Sequence, residues 1–396
     1  MRITTLKILM INSVCGIRST GRICTDLALK LEAQGHTVKI AYGREHVPAE
    51  FERFAVPIGS KWDVDMHFLK ARLLDGMGLG SKSATKDFIE WVKTYDPDVI
   101  HLHNIHGYYI NISILFNYLK TCGKKIIWTL HDCWSFTGHC MYFNYENCSK
   151  WQTGCGNCPQ NGVYPKRLGP DRSDYNYKVK QDLFTGIPNF YIITPSQWLK
   201  DLAAQSYLKD YPIEVINNGV DTQVFKPTDS DILKRLGIPD KKVILGVAAV
   251  WDRRKGMSDF IKLKELLDDS YRIVLVGLSK KQVDELPEGI IGIERTDSVK
   301  ELVELYSAAY VFVNATYEDN YPTTNLEAIA CDTPVITYDT GGSPESANIY
   351  GVTLKEKSAE AIYKALADVP GFKRLPQSIS NSDSINAYAN LYEKIL

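Results

Sequence analysis

Residues 311–330 read VFVNATYEDNYPTTNLEAIA. Val311-Phe312-Val313 is a short apolar run of the kind buried on both faces of a sheet. Tyr317-Glu318-Asp319-Asn320-Tyr321-Pro322 is polar and turn-prone. From Thr323 or Thr324, either of which can cap it, a helical stretch Asn325-Leu326-Glu327-Ala328 follows. Strand, loop, helix is the repeating unit of a parallel sheet covered by helices.

The same unit recurs in both directions. On the N-terminal side, Lys7–Ile11 is a strand, followed by a glycine-bearing loop. A helix follows with Ile23, Leu27 and Leu31 on one face, and Gly35 suits its stop. Further strands are expected at 38–40, 98–102, 125–130, 191–194 and 214–216. Asn217-Asn218-Gly219-Val220-Asp221 is a turn-rich break. A second series then places strands at 243–247, 272–277, 311–313 and 334–338, with a helix starting near Gly256. Asp383 to Leu396 reads as an amphipathic helix. Two such series predict an α/β chain of two doubly wound, Rossmann-like domains facing across a cleft, with ligand at the strand C-termini. The expected division is 1–217 with a cysteine-rich loop at 133–159, then 218–378, then a terminal helix over 379–396 that packs back on the first domain.

A chain of 396 residues suits two domains, and 44% apolar with 23% charged residues supplies two cores without a disorder signature. The net charge of −1 predicts no nucleic-acid partner. Met1–Lys7 lacks an apolar leader, and no run reaches the roughly 18 apolar residues of a membrane span. The reading is cytoplasmic, with a peripheral role at the inner face of the cell membrane left open.

Three segments at strand ends of the second series can meet one ligand. At 317–328 the helix start offers free N–H groups, an anion site. Glu327, read in the first turn, can reach a diol such as a ribose. Thr324 and Glu327 equally fit a capping box. At 250–256, VWDRRKG, the cations Arg253, Arg254 and Lys255 can neutralise a diphosphate or form a solvated basic turn. At 340–345, TGGSPE, glycines permit close backbone approach and Ser343 can cap a helix carrying Glu345.

These residues resemble the family-4 retaining glycosyltransferases of GT-B architecture. That family carries two acids separated by seven residues, as Asp319 and Glu327 stand here. Glu318 stands one position early, and Lys255-Gly256 matches the family's Lys-Gly. Arg254 or Arg253 substitutes for an arginine that the family places where Val250 stands. The resemblance implies a nucleoside diphosphate sugar donor and no catalytic metal. Glu327 would hold ribose, while amides around Thr323 and Thr324 would hold phosphate. Asp319 or Glu318 would touch the sugar, with Asn320 and Tyr321 in the donor loop. In the first half it favours His131, one of two strand-end histidine groups (101–107 and 129–132) expected to face one crevice. Gly16 and Gly21 correspond to the family's glycine loop and form no dinucleotide fingerprint. The expected reaction is retaining transfer of a hexose-type residue to a glycan or lipid-linked glycan, as in bacterial surface polysaccharide biosynthesis. Asp63-Val64-Asp65 looks like the metal motif of the other glycosyltransferase architecture, but it follows no buried strand and reads as a solvated pair. A nucleotide-sugar epimerase and a non-catalytic sugar-nucleotide binder are the alternatives.

Cys140, Cys148, Cys155 and Cys158 are spaced for a closed, structural zinc site, with Cys155-Gly156-Asn157-Cys158 as its knuckle, and disulfides or free thiols are the alternatives. Cys133 and His139 are alternate ligands. The stretch 131–159 resembles a cysteine-bearing branch of the same glycosyltransferases.

Overall fold

The computed structural model describes residues 5–160 and 162–395. The leader reading at 1–4 and the end of the terminal helix at 396 lie outside the described residues.

The first seven strands are β1 (Lys7–Ile11), β2 (Thr37–Tyr42), β3 (Ala55–Pro57), β4 (Val99–Leu102), β5 (Lys125–Thr129), β6 (Phe190–Thr194) and β7 (Ile213–Val215). They form one parallel sheet in the order β3-β2-β1-β4-β5-β6-β7. The remaining six are β8 (Lys242–Val247), β9 (Tyr271–Val276), β10 (Ile290–Ile293), β11 (Val311–Asn314), β12 (Val335–Tyr338) and β13 (Gly351–Leu354). Their parallel order is β10-β9-β8-β11-β12-β13. Both orders reverse direction beside the first strand of the series, at β1/β4 and β8/β11. Those are the switch points where a doubly wound sheet opens a crevice at its C-terminal edge. The expected α/β class with two doubly wound sheets is the fold observed.

Alternation along each strand explains why both faces are covered. Leu9 and Ile11 enter one core while Ile8 and Met10 enter another. In the second sheet Val243 and Leu245 face one core and Ile244 the other. The helix after β1 runs over Arg18–Ala33 and stops at Gly35, whose φ of +89° is a left-handed conformation that glycine adopts without strain.

The chain separates into two compact units. Unit 1 runs to Ile216 and also takes the segment from Ile385; unit 2 is Asn217–Ser384. Residues 379–384 stay in unit 2, where Val220 N–H donates to Ile379 O (2.9 Å) and Asn381 N–H to Val220 O (2.9 Å). In unit 1, Tyr388, Leu391, Tyr392 and Ile395 of the helix Asn381–Ile395 bury against Ile8, Met10, Leu27 and Leu31. Among the described residues no helix is long and apolar enough to cross a membrane.

Candidate active site

In unit 2 the chain leaving β8 turns through a short helical turn, Arg253–Lys255. Asp252 organises it: its carboxylate accepts Arg254 N–H (2.9 Å) and grips the Arg254 guanidinium through Nε (3.0 Å) and Nη2 (2.9 Å). Gly256 then sits at φ +69°, where a Cβ would lie 2.2 Å from Ala315 O. Arg254 O accepts Tyr317 N–H at 2.6 Å, which fastens this turn to the loop after β11. That brings Lys255 Nζ to 2.6 Å from Asp319 Oδ2.

The third segment closes on the same point. Gly342 N–H donates to Asp319 O (3.3 Å), and Thr340 Oγ1 donates to Tyr317 O (2.7 Å). Gly341 has φ +57°, and a Cβ there would stand 1.8 Å from Asp319 O. Asn325 is the hub beneath: its Oδ1 accepts Asn314 Nδ2 (2.9 Å) and its Nδ2 donates to Ser346 Oγ (2.9 Å). The three predicted segments therefore form one structure at the ends of β8, β11 and β12.

Local details differ from expectation. The helix Thr323–Ala330 has Pro322, not Thr323 or Thr324, as its N-cap, because proline already holds the extended φ that precedes a first turn. Thr324 is thus a helical residue, the Thr324–Glu327 capping box does not form, and Glu327 lies in the second turn. Glu327 Oε2 accepts Tyr306 O–H at 3.0 Å. Burial, reinforced by Glu327, raises the Tyr306 phenol well above its ordinary value, so it stays a donor. Thr323 and Thr324 donate their backbone N–H groups to nothing among the described residues. Ser343 likewise is inside its helix, and Gly342 is the cap. Glu318 is buried (3% exposed), as are Asn320 and Tyr321, whereas the Asp319 side chain keeps 19% of its surface.

In unit 1, Gly16 (φ +75°) donates its N–H to Gly21 O (3.3 Å), closing the loop after β1. A Cβ on Gly21 would come within 3.2 Å of Gly16 N. Asn12, missed in the sequence because it ends an apolar run, is fully buried. It ties Val14 O (2.8 Å) to Asn104 N–H (3.2 Å). At the neighbouring strand ends His131 Nε2 meets His103 Nδ1 (3.1 Å), and His106 Nε2 meets Asp132 Oδ2 (2.9 Å). Burial pushes the His131 imidazole down to about 4, so it is neutral at pH 7. His101 does not join this edge. It is fully buried between Tyr392 O–H (2.6 Å) and Thr129 Oγ1 (2.8 Å), because its side chain points to the face covered by the returning helix.

Cys140, Cys148, Cys155 and Cys158 line one small cavity with His139 and Trp151, and all four are free thiols. Among the described residues no three His, Cys, Asp or Glu side chains converge on a point from which to hold a metal ion. Cys155 Sγ is turned to the Gly138 N–H (3.2 Å), and His139 Nδ1 is engaged by Asp75 at 2.5 Å. Asp63, from the acidic pair, closes a capping box with Ser60 at the start of the helix Lys61–Leu74.

The profile described as Glycosyltransferase Family 4 matches residues 20–224, more than half of the chain, and Glycosyl transferases group 1 matches residues 241–369. A protein of Escherichia coli K12 assigned as the colanic acid biosynthesis glycosyl transferase WcaC is 25% identical over 326 residues, 76% of this chain and 78% of its own. The O-antigen chain mannosyltransferase RfbU of Salmonella typhimurium is 30% identical over 158 residues, 38% of this chain and 42% of its own. Among solved structures, sucrose-phosphate synthase of Thermosynechococcus elongatus superposes with a TM-score of 0.69 at 17% identity, covering 98% of this chain and 99% of its own. Anabaena HepE in complex with UDP gives 0.62 at 16%, covering 98% and 100%.

Proposed function

The chain belongs to Glycosyltransferase Family 4, and on that footing we propose a retaining enzyme that moves a hexose-type residue from a nucleoside diphosphate sugar to a glycan or lipid-linked glycan in surface-polysaccharide assembly. One observation carries the reading: Lys255 and Asp319 meet in the loop that leads into two helix-start amides with no acceptor among the described residues, on the sheet edge that also carries Glu327. A diphosphate placed at Thr323 and Thr324 gains the helix-end field and their N–H groups. It also offers Lys255 a more highly charged partner than Asp319. Arg254, gripped by Asp252, lends charge from a fixed position. Glu327, oriented by Tyr306, takes the ribose diol. Asp319 rather than Glu318 meets the sugar, since it is the accessible acid of the two.

In the reaction the sugar C1–O bond to the diphosphate breaks and a bond from C1 to the acceptor oxygen forms on the same face. The acceptor proton passes to the departing diphosphate oxygen. Lys255 and the amides stabilise the charge that develops there. His131 in unit 1 is assigned to the transferred sugar; its neutral ring is suited to hydrogen bonding rather than to carrying charge. The donor base is open, and a place at the inner membrane face accompanies the lipid-linked acceptor. No converged zinc ligand set is present among the described residues, and no step of the reaction is routed through zinc.

Incubation with a panel of nucleotide sugars tests the reading. Acceptor-dependent release of nucleoside diphosphate with retained anomeric configuration is expected. Sugar interconversion without release would make the chain an epimerase, and binding without turnover a non-catalytic receptor.

A further inference from the structure

The helix Lys61–Leu74 in unit 1 is seated by its inner face and bare on its outer one. His67 and Ala71 are buried. His67 Nε2 accepts the N–H groups of Gly78 (3.2 Å) and Gly80 (2.9 Å), and its Nδ1 meets Ser81 Oγ (3.0 Å). These bonds fix the helix in rotation. Trp62, Met66, Leu69 and Leu73 recur at four-, three- and four-residue steps, so they form one stripe. Within it Trp62 is 71% exposed and Leu69 and Leu73 49% each, while Phe68 and Leu74 flank it at 41% and 51%. The stripe continues across the chain: Leu168 N–H donates to Arg72 O (2.8 Å), which sets Leu168, 67% exposed, beside the end of the helix.

Basic residues surround this apolar surface. Lys61, Lys70, Lys82 and Lys166 are exposed, and none enters an ion pair among the described residues. An open groove of about 320 Å³ runs beside Trp62, with Lys70 and Lys82 on its walls. Asp65 is the exposed acid on the helix; Asp63 is engaged with Ser60.

We infer that this face docks on an anionic lipid surface, with Trp62, Leu69, Leu73 and Leu168 entering the headgroup boundary and the four lysines facing lipid phosphates. Apolar side chains ringed by lysines whose stems can extend to a charged plane are what an interfacial helix requires. A second copy of the chain is the poorer occupant. A two-fold contact sets the same patch against itself, so the unpaired lysines would face lysines. The inference does not depend on donor chemistry, because vesicle binding needs no nucleotide sugar.

The test is co-sedimentation of the full chain with phosphatidylcholine vesicles made with and without phosphatidylglycerol. Binding to the anionic vesicles is expected, weaker by about tenfold without phosphatidylglycerol or at high salt. Leu69→Glu/Leu73→Glu and Lys70→Glu/Lys82→Glu should each lower it by about tenfold or more, with melting temperatures unchanged because these side chains are exposed. Absence of wild-type binding, or binding indifferent to both double substitutions, overturns the inference. So does a dimer in sedimentation equilibrium that Leu69→Glu/Leu73→Glu dissolves.

Discussion

Lys255 and Asp319 hold one another at 2.6 Å with roughly a fifth to a quarter of each side chain exposed. Such a partly exposed pair contributes only about 0–1 kcal/mol to folding, so its value lies in what replaces it. Lys255→Ala should lower kcat by about a hundredfold, as loss of a group that meets developing charge does, with little change in melting temperature. Glu327→Gln should instead raise the donor KM by about tenfold and spare kcat, because ribose contact is the same in ground and transition states. Steady-state kinetics on the two variants, run together, check the assignment, and interchanged effects would refute it. At this scale the sequence was readable where a residue type is itself the chemistry. Lys255, Asp319 and Glu327 could be picked out, whereas Asn12, Tyr306 and Asn325 could not: a buried amide or phenol looks like any other core residue until its partners are known.

Elements were legible in proportion to their burial. Central strands such as β1, β8 and β11 are apolar on both faces and announce themselves. The edge strands β3 and β13 are half-exposed and short of large apolar side chains, and the short run of β10 is interrupted by Gly292; none of the three was expected, whereas the edge strand β7 was. Helix starts were misplaced by one or two residues, because Pro322 and Gly342 cap through backbone shape while the threonine and serine after them advertise side-chain caps. Gly341 shows what the close approach of two loops demands. With φ +57° and the Asp319 carbonyl against its α-carbon, Gly341→Ala pushes the acidic loop away and costs roughly 1–3 kcal/mol in backbone strain alone. Calorimetry should show a lowered transition, and the donor KM should rise with it. An unchanged KM would mean that the loop bearing Asp319 does not contact donor.

For the whole molecule, buried histidines set the acid limit. Burial lowers His101 to about 3, and His67 and His131 to about 4, below the ordinary 6.5 of the unfolded chain. Between those values the unfolded chain binds more protons than the folded one. Stability is therefore complete above about pH 6.5 and lost as pH falls toward 4, at about 1.4 kcal/mol per pH unit for each histidine. Urea midpoints for unit 1 should drop from pH 7 to pH 5, and a flat profile would contradict the burial of these rings. The two-sheet plan itself was legible from the alternation of strands and helices around the break at 217–221. The exact partition of residues 379–384 was not, since it rests on backbone pairing with Val220.

The return of the segment from Ile385 into unit 1 has a consequence for biogenesis. A ribosome delivers residues 217–384 before Tyr388 and Tyr392, so unit 2 possesses its full sequence while unit 1 still lacks one wall of its core. Until that last helix packs, Ile8, Met10, Leu27 and Leu31 lack the apolar cover it supplies.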